Sequence, residues 1–251
     1  MRKLIFVIMF FSLSGIGCAP LGQESEADNT SLEETTPPAP EPGRDTLSRD
    51  EQERLRKSFV EVDYSANQQN QILSGYSQID PKKEVPANLL KKALLFYDTN
   101  KDRISVTGYM TVIDFSQKSS RQRFYLIDMG TGAVETFQVA HGRGSDKNND
   151  GYAETFKNSN GSHASSLGFY LTAETYYGAH GRSMRIDGLS STNTEARDRD
   201  VVVHGADYVK DNGLKPGRSW GCPALSMKVK DQYIDRTMGG SLMYAGRSKV
   251  D

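Results

Sequence analysis

The feature that most constrains this fold is a series of short apolar runs after residue 103. Each run is three to six residues long, and glycine or polar residues separate one run from the next. Runs of this length, rich in β-branched and aromatic residues, predict strands. The predicted strands are residues 104–106, 112–115, 124–128, 134–139, 168–172, 184–187 and 201–204. Many short strands with few helices predict a mainly β fold, a sandwich or partly closed barrel with mainly antiparallel strands.

One helix is predicted before these strands. Its apolar residues follow Pro86 at helical spacing and are Leu89, Leu90, Ala93, Leu94 and Tyr97. Apolar residues three and four positions apart share one helix face, which would pack against the sheet. We therefore predict a short helical N-terminal attachment over residues 51–102 and a β domain over residues 103–251. Gly130-Thr131-Gly132 predicts a hairpin turn between two of the strands.

The N-terminus has the pattern of an export signal over residues 1–17. Arg2 and Lys3 precede an apolar run, Leu4 to Leu13, that is too short to span a bilayer. The residues up to Cys18 resemble the lipobox of bacterial lipoproteins, in which the cysteine is lipidated and becomes the new N-terminus. That motif usually has Leu where this chain has Gly15, and an ordinary cleaved signal peptide is the alternative. The resemblance implies a periplasmic, lipid-anchored protein, and Ala19 favours the outer membrane over the inner.

A disordered acidic tether is predicted over residues 18–50. This segment holds eight acidic residues against two arginines, and four prolines fall within residues 37–42. Such a composition buries too little apolar area to offset the entropy of ordering, and proline favours extended backbone. Residues 51–251 then carry 27 basic against 24 acidic residues. The formal net charge of -1 gives no field typical of a nucleic-acid-binding protein, and the mean hydropathy of -0.60 excludes a transmembrane bundle.

Cys222 is the candidate nucleophile. If Cys18 is lipidated or removed, Cys222 is the single remaining cysteine, which is unusual in an oxidising compartment. A buried structural thiol is the alternative, but the polar, glycine-containing stretch from Ser219 to Pro223 favours a turn over an apolar core. A thiol attacks as thiolate, and a cysteine with an ordinary pKa of about 8.5 needs a base to ionise at neutral pH.

His204 is the candidate base. It ends the predicted strand 201–204, which would carry the imidazole to the edge of the sheet. The carbonyl of Gly205 could accept a hydrogen bond from one ring nitrogen and leave the other facing the thiol. The backbone N–H groups of Gly221 and Cys222 could form an oxyanion hole, because glycine lets an acyl group approach closely.

These residues together resemble a known motif. His204, the fourteen residues 205–218 that begin with Gly205, and then Ser219-Trp220-Gly221-Cys222 are similar to the signature of the L,D-transpeptidase (YkuD-like) catalytic domain family of bacterial cell-wall enzymes. The layout of about residues 106–245 is similar to the branch of the family whose motif ends Gly-Cys-Pro-Ala-Leu, here Gly221 to Leu225. The resemblance covers somewhat more than half of the chain.

The resemblance implies a β-sandwich-like fold and a reaction on peptidoglycan stem peptides without a cofactor. Cys222 would attack the diaminopimelate carbonyl of a tetrapeptide stem and expel D-Ala, and the acyl group would pass to an amine. His204 would act as base and then acid, Gly205 would orient it, and Ser219 would shape the loop. An L,D-carboxypeptidase or amide hydrolase using the same acyl-enzyme, and a non-catalytic murein-binding lipoprotein, are the alternatives.

Two departures from the family pattern concern substrate binding. Trp220 stands where the family usually has histidine, and Ala224 stands where many members have Arg or Asn. Trp220 is therefore a candidate substrate contact, and a substrate carboxylate must be recognised by a residue elsewhere. The candidates are Arg218, Lys215 and Arg185, with His180 as a further residue that could line the groove.

Other motifs are weaker. Residues 217–221 match the Gly-x-Ser-x-Gly elbow of serine hydrolases, but no histidine follows Ser219, so the required order of triad residues is missing. Asp146 to Gly151 resembles the opening of a calcium loop, yet position twelve is Lys157, and a polar loop is the favoured interpretation. Cys222 and the histidines share no zinc-ligand spacing, so no metal is predicted.

Overall fold

The computed structural model describes residues 47–249, and its first part consists of three helices. Each of the first two begins with a capping box, in which a serine and the Glu or Gln three residues later bond each other's backbone N–H groups. The third helix confirms the prediction made from apolar spacing. None of the helices within residues 47–249 combines the length and the apolar character that crossing a bilayer requires. The helices are α1 (Arg49–Ser58), α2 (Ala66–Ser74) and α3 (Ala87–Asn100).

The structure differs from the sequence predictions at two places before the sheet. Helix α1 begins at Arg49, so Arg49 and Asp50, which the sequence placed in the tether, are helical. The predicted signal peptide (residues 1–17), the predicted lipidation site Cys18 and the rest of the predicted tether up to residue 46 lie outside the described residues. The predicted strand 104–106 is wrong: Ile104 is buried at the end of a 3-10 turn, Lys101–Arg103, and Val106 N–H donates only to Gly240 O at 3.0 Å.

Eight strands form one sheet, and six of them correspond to predicted runs. The predicted turn at residues 130–132 joins the second and third strands. The elements that were not individually predicted are helices α1 and α2, the last two strands and helix α4 (Lys230–Thr237). The strands are β1 (Tyr109–Asp114), β2 (Gln122–Asp128), β3 (Val134–Gln138), β4 (Gly168–Gly178), β5 (Gly181–Gly188), β6 (Val202–Ala206), β7 (Ala224–Ser226) and β8 (Leu242–Gly246).

The strand order is β3-β2-β1-β8-β4-β5-β6-β7. Most pairs are antiparallel, but β1 with β8 and β6 with β7 are parallel. A bridge between Ala140, just after β3, and Ala224 of β7 links the two edges. The sheet is therefore a nearly closed barrel, in agreement with the predicted mainly β class.

Alternation along the strands builds two cores. On β1, Val112 packs into the cluster shared with α3, while Ile113 packs into the other cluster, which includes Tyr233 of α4. Successive side chains of a strand point to opposite faces, so one strand serves both cores. Strand β6 is buried along its whole length. Its place between β5 and β7 determines the position of the His204 backbone.

Candidate active site

Strands β6 and β7 bring His204 and Cys222 together. The parallel register pairs His204 with Ala224, so Cys222, two residues earlier, lies level with Val202. With strands about 4.8 Å apart and a rise of about 3.3 Å per residue, the backbones of His204 and Cys222 are about 8 Å apart on the diagonal. An imidazole and a thiol can bridge that span.

The Cys222 thiol lies against the backbone at the start of β6. The N–H of Val202 donates to Sγ at 3.5 Å, and Sγ lies 3.6 Å from the carbonyl oxygen of Asp200. Asp200 adopts a left-handed backbone, with φ of 53°, a conformation that Asp adopts more readily than most residues. The side chain of Cys222 is mostly buried, and the residue is 9% exposed. The Val202 N–H can stabilise a thiolate, and the Asp200 carbonyl can accept a hydrogen bond from the thiol.

The imidazole of His204 is fully buried and held on two sides. Its Nδ1 lies 3.0 Å from the carbonyl oxygen of Gly205, the contact expected of the orienting carbonyl. A proton on Nδ1 leaves Nε2 as the basic nitrogen. The ring of His180, from the turn between β4 and β5, stacks on it with centroids 4.2 Å apart and planes 23° apart. The His204 ring therefore has one packed orientation.

Ser219 holds the nucleophile loop from inside. Its hydroxyl donates to Cys222 O at 2.7 Å and accepts from the Gly221 N–H at 3.2 Å. Gly221 has φ of +126°, and a Cβ there would lie 2.9 Å from Ala164 O, so this position requires glycine. Because the Gly221 N–H is bonded to Ser219, its expected role in an oxyanion hole requires this bond to be exchanged during the reaction.

A second segment supports the same loop. Ser219 N–H donates to His141 O at 2.9 Å, and Arg143 N–H donates to Ser219 O at 2.8 Å. The His141 side chain is buried, with Nδ1 2.6 Å from Arg123 Nη2 and Nε2 3.2 Å from Asp146 Oδ2. Burial lowers the pKa of His141 to about 4, so the ring is neutral at pH 7 and donates from Nε2 to Asp146.

The cleft at Cys222 contains some of the predicted substrate contacts. Trp220 lies on it and is flanked by His163, with ring centroids 3.8 Å apart, and by the Arg143 guanidinium, 4.6 Å from the Trp220 ring. The cleft is lined by Asn160, Gly161, His163, His180, Asp198, Arg199, Asp200, Val202, Trp220 and Cys222. A larger groove between residues 77–90 and the β2–β3 edge contains neither Cys222 nor a histidine.

The three basic candidates do not line this cleft. Arg185 is only 3% exposed, and its guanidinium lies 3.2 Å from Glu174 and 3.4 Å from Asp200. Arg218 donates to Asp146 O, and Lys215 Nζ donates to Asn149 Oδ1 at 2.7 Å. Arg218 and Lys215 therefore hold the loop of residues 146–151, whereas Arg185 is part of an ion-pair network on the sheet.

The loop from Asp146 to Gly151 is closed by its own side chain. Asp146 is buried and accepts from the Asp150 N–H at 3.0 Å and from the Gly151 N–H at 2.9 Å. Burial opposes ionisation, but the hydrogen bonds from His141 and these N–H groups keep the pKa of Asp146 below its ordinary value. Within residues 47–249, no three His, Cys, Asp or Glu side chains converge as a metal site.

Arg199 lines the cleft but was not among the candidates. It lies in the alternating run Arg197-Asp198-Arg199-Asp200, a pattern typical of a solvated loop. Its guanidinium donates instead to Ala164 O at 2.6 Å and Lys157 O at 2.9 Å. No signal in the sequence distinguishes it from its charged neighbours.

Comparison with known proteins places this arrangement in a family. Residues 81–245 match the L,D-transpeptidase catalytic domain family. No curated protein matches. Among solved structures, L,D-transpeptidase 1 of Mycobacterium tuberculosis is 15% identical with a TM-score of 0.31 and covers 55% of this chain, which spans 62% of that one. The L,D-transpeptidase of Mycobacterium smegmatis is 12% identical with a TM-score of 0.34, covering 55% of this chain and 58% of its own.

An L,D-transpeptidase from Xylanimonas cellulosilytica, residues 123–326, is 16% identical with a TM-score of 0.34 and covers 84% of this chain and all of that one. The chain thus spans about three fifths of the two mycobacterial chains, and its similarity to all three is low. The family match covers about two thirds of the sequence and includes β1 to β7, all but the last residue of β8, His204 and Cys222. The chain belongs to the L,D-transpeptidase catalytic domain family.

Proposed function

We propose that this protein is a cysteine acyltransferase that acts as an L,D-transpeptidase on peptidoglycan stem peptides. The observations that carry the proposal are the packed orientation of His204, whose Nδ1 contacts Gly205 O, and the contact of Cys222 Sγ with the backbone N–H of Val202, two residues before His204 on the same strand. This geometry suits a base that deprotonates a neighbouring thiol. Membership of the family supports peptidoglycan as the polymer.

The reaction would proceed in two halves. His204 Nε2 takes the thiol proton, and Cys222 Sγ attacks the carbonyl carbon of diaminopimelate in the tetrapeptide stem. The resulting oxyanion is stabilised by backbone N–H groups at Gly221 and Cys222. The C–N bond to D-Ala then breaks, and the imidazolium returns the proton to the departing amine, which leaves a thioester.

The second half transfers the acyl group. An amine of another stem attacks the thioester, His204 accepts a proton from that amine, and the sulfur leaves as thiolate. The new amide joins the two stems. Water in place of the amine would make the protein an L,D-carboxypeptidase, and a protein that bound stems without acylation would be a murein-binding lipoprotein.

We propose that the protein acts in the periplasm, held at a membrane by lipid on Cys18. The support is the N-terminal sequence alone, because these residues lie outside the described part. Ala19 after the cysteine favours the outer membrane. Metabolic labelling with a fatty-acid probe should label the wild-type chain and not Cys18→Ala, and an unlabelled wild-type chain would contradict the anchor.

Muropeptide analysis tests the proposed reaction. The purified full-length chain is incubated with tetrapeptide-containing muropeptides, and Cys222→Ala serves as the control. The proposal predicts new cross-linked dimers together with free D-Ala, and neither with the variant. Shortened stems without dimers would favour hydrolysis, and unchanged muropeptides would favour a binding protein.

A further inference from the structure

The charges around the cleft are unequally compensated. The carboxylate of Asp198 lies 2.8 Å from Arg49 Nη2 and accepts from Gln52 at 3.0 Å. The carboxylate of Asp200 lies 3.4 Å from Arg185 Nη1. Each acidic residue of the cleft therefore has an arginine partner that comes from outside the cleft.

Arg199 has no such partner among residues 47–249. It is the only Arg or Lys that lines the cleft, and no described carboxylate lies within salt-bridge distance of its guanidinium. Its four hydrogen bonds all go to neutral oxygens of residues 157–166. These acceptors are Ala164 O at 2.6 Å, Lys157 O at 2.9 Å, Ser166 Oγ at 3.2 Å and Ser162 Oγ at 3.3 Å.

These bonds fix the position of the charge without neutralising it. Carbonyl and hydroxyl dipoles satisfy the N–H donors, but the net positive charge persists and acts on its surroundings. A guanidinium is protonated at any physiological pH. Burial lowers the pKa of Arg199, and attraction to Tyr170, Cys222 and Glu195 opposes this effect.

The guanidinium also lies beside the nucleophile loop. A Cβ built on Gly221 would be 3.2 Å from Arg199 Nη2, and Gly221 directly precedes Cys222. The guanidinium therefore lies next to the residue that precedes the nucleophile, and Arg199 and Cys222 line the same cleft. Because the four hydrogen bonds already hold it there, it does not have to reorganise when a thiolate forms.

We propose that Arg199 is a fixed positive charge that stabilises the thiolate of Cys222. It supports the nucleophile through space and does not itself touch the substrate. His204 removes the proton, and Arg199 favours the anion that remains. This inference rests on Cys222 as the nucleophile, but its test needs no murein substrate.

Thiol alkylation tests the proposal. Rates for neutral iodoacetamide and anionic iodoacetate are measured from pH 5 to 10 on the full chain, following the Cys222 peptide by mass spectrometry. The other titratable groups near the thiol and Arg199 are His163, His180, His204, Tyr170, Glu195, Asp198 and Asp200. They are unchanged in all variants, so differences between variants isolate residue 199.

Arg199→Gln should raise the pH midpoint of alkylation by about one unit, which is about tenfold slower reaction with iodoacetamide at neutral pH. It should also remove any preference for iodoacetate. Arg199→Lys keeps the charge but not the four hydrogen bonds, and should stay within about threefold of wild type. Arg236→Gln removes a positive charge paired with Glu135 and should behave as wild type.

The alternative is that Arg199 only clamps residues 157–166 to the cleft. In that case Arg199→Lys and Arg199→Gln would change the melting temperature to a similar degree and share one pH midpoint. Equal midpoints for wild type and Arg199→Gln would overturn the proposal. An absence of muropeptide products would contradict the proposed function and leave the alkylation result interpretable.

Discussion

The buried histidine behind the nucleophile loop makes stability depend on pH in a specific window. His141 is 1% exposed, and its pKa is lowered from 6.5 to about 4 by burial. The unfolded chain therefore binds a proton near pH 6.5, whereas the folded chain does not until about pH 4. The contribution of the neutral ring is complete above pH 6.5 and is lost as the pH falls from 6.5 to 4.

The size of the effect follows from these two pKa values. Between pH 7 and pH 5 the free energy of unfolding should fall by about 2 kcal/mol because of His141 alone. Carboxylates contribute little in this interval, since they titrate mainly below pH 5. The same direction holds for Asp146. Because its pKa is lowered in the folded protein, its contribution to stability is lost in still more acidic solution.

Urea unfolding at pH 7, 6 and 5 measures how the free energy of unfolding changes with pH. The single tryptophan, Trp220, is the fluorescent probe. His141→Asn keeps an acceptor for Arg123 and removes the titrating ring, so its pH dependence should be flatter than that of wild type by about 2 kcal/mol. His163→Gln, on the rim of the cleft, is the control. It should leave the pH dependence that comes from His141 unchanged. Identical pH dependence of wild type and His141→Asn would refute the reasoning.

Two further substitutions test the packing of the site. Gly221→Ala should destabilise the fold by about 1–3 kcal/mol more than Gly213→Ala. Both glycines have positive φ, but only at Gly221 would the new Cβ meet a backbone atom, Ala164 O, at 2.9 Å. Equal chemical denaturation midpoints for the two variants would contradict this. His180→Ala should slow Cys222 alkylation several-fold by releasing the ring stacked on His204, whereas Tyr177→Ala, 71% exposed in the same hairpin, should not. Equal rates for the two hairpin variants would show that the stack does not position the base.

Local pattern was sufficient for six of the eight strands and for helix α3. The runs around Val112 and Phe124 became β1 and β2, and the helical spacing from Leu89 to Tyr97 became α3. Strand β7 was missed because Ala224–Ser226 has only three residues and no periodicity. The parallel pairing of β1 with β8 was equally beyond the sequence, since side-chain alternation states which face is buried but not which strand lies alongside.

The residues of the candidate site also differ in how far the sequence could predict them. Cys222, His204 and Gly205 could be proposed together because a nucleophile, a base and an orienting carbonyl recur at a fixed spacing. Arg185 was a poor candidate because its environment depends on Glu174, from a neighbouring strand. Arg199 was missed because only the folded chain shows that its neighbours' charges are compensated and its own is not.

The most direct test of the account is whether His204 activates Cys222 towards an acylating agent. A carbapenem is added to the full-length chain, and adduct formation is followed by intact mass over time. We expect one adduct per molecule on wild type, none on Cys222→Ala, and acylation of His204→Ala slower by about a hundredfold or more. An adduct on Cys222→Ala, or equal rates for wild type and His204→Ala, would contradict the assignment of nucleophile and base.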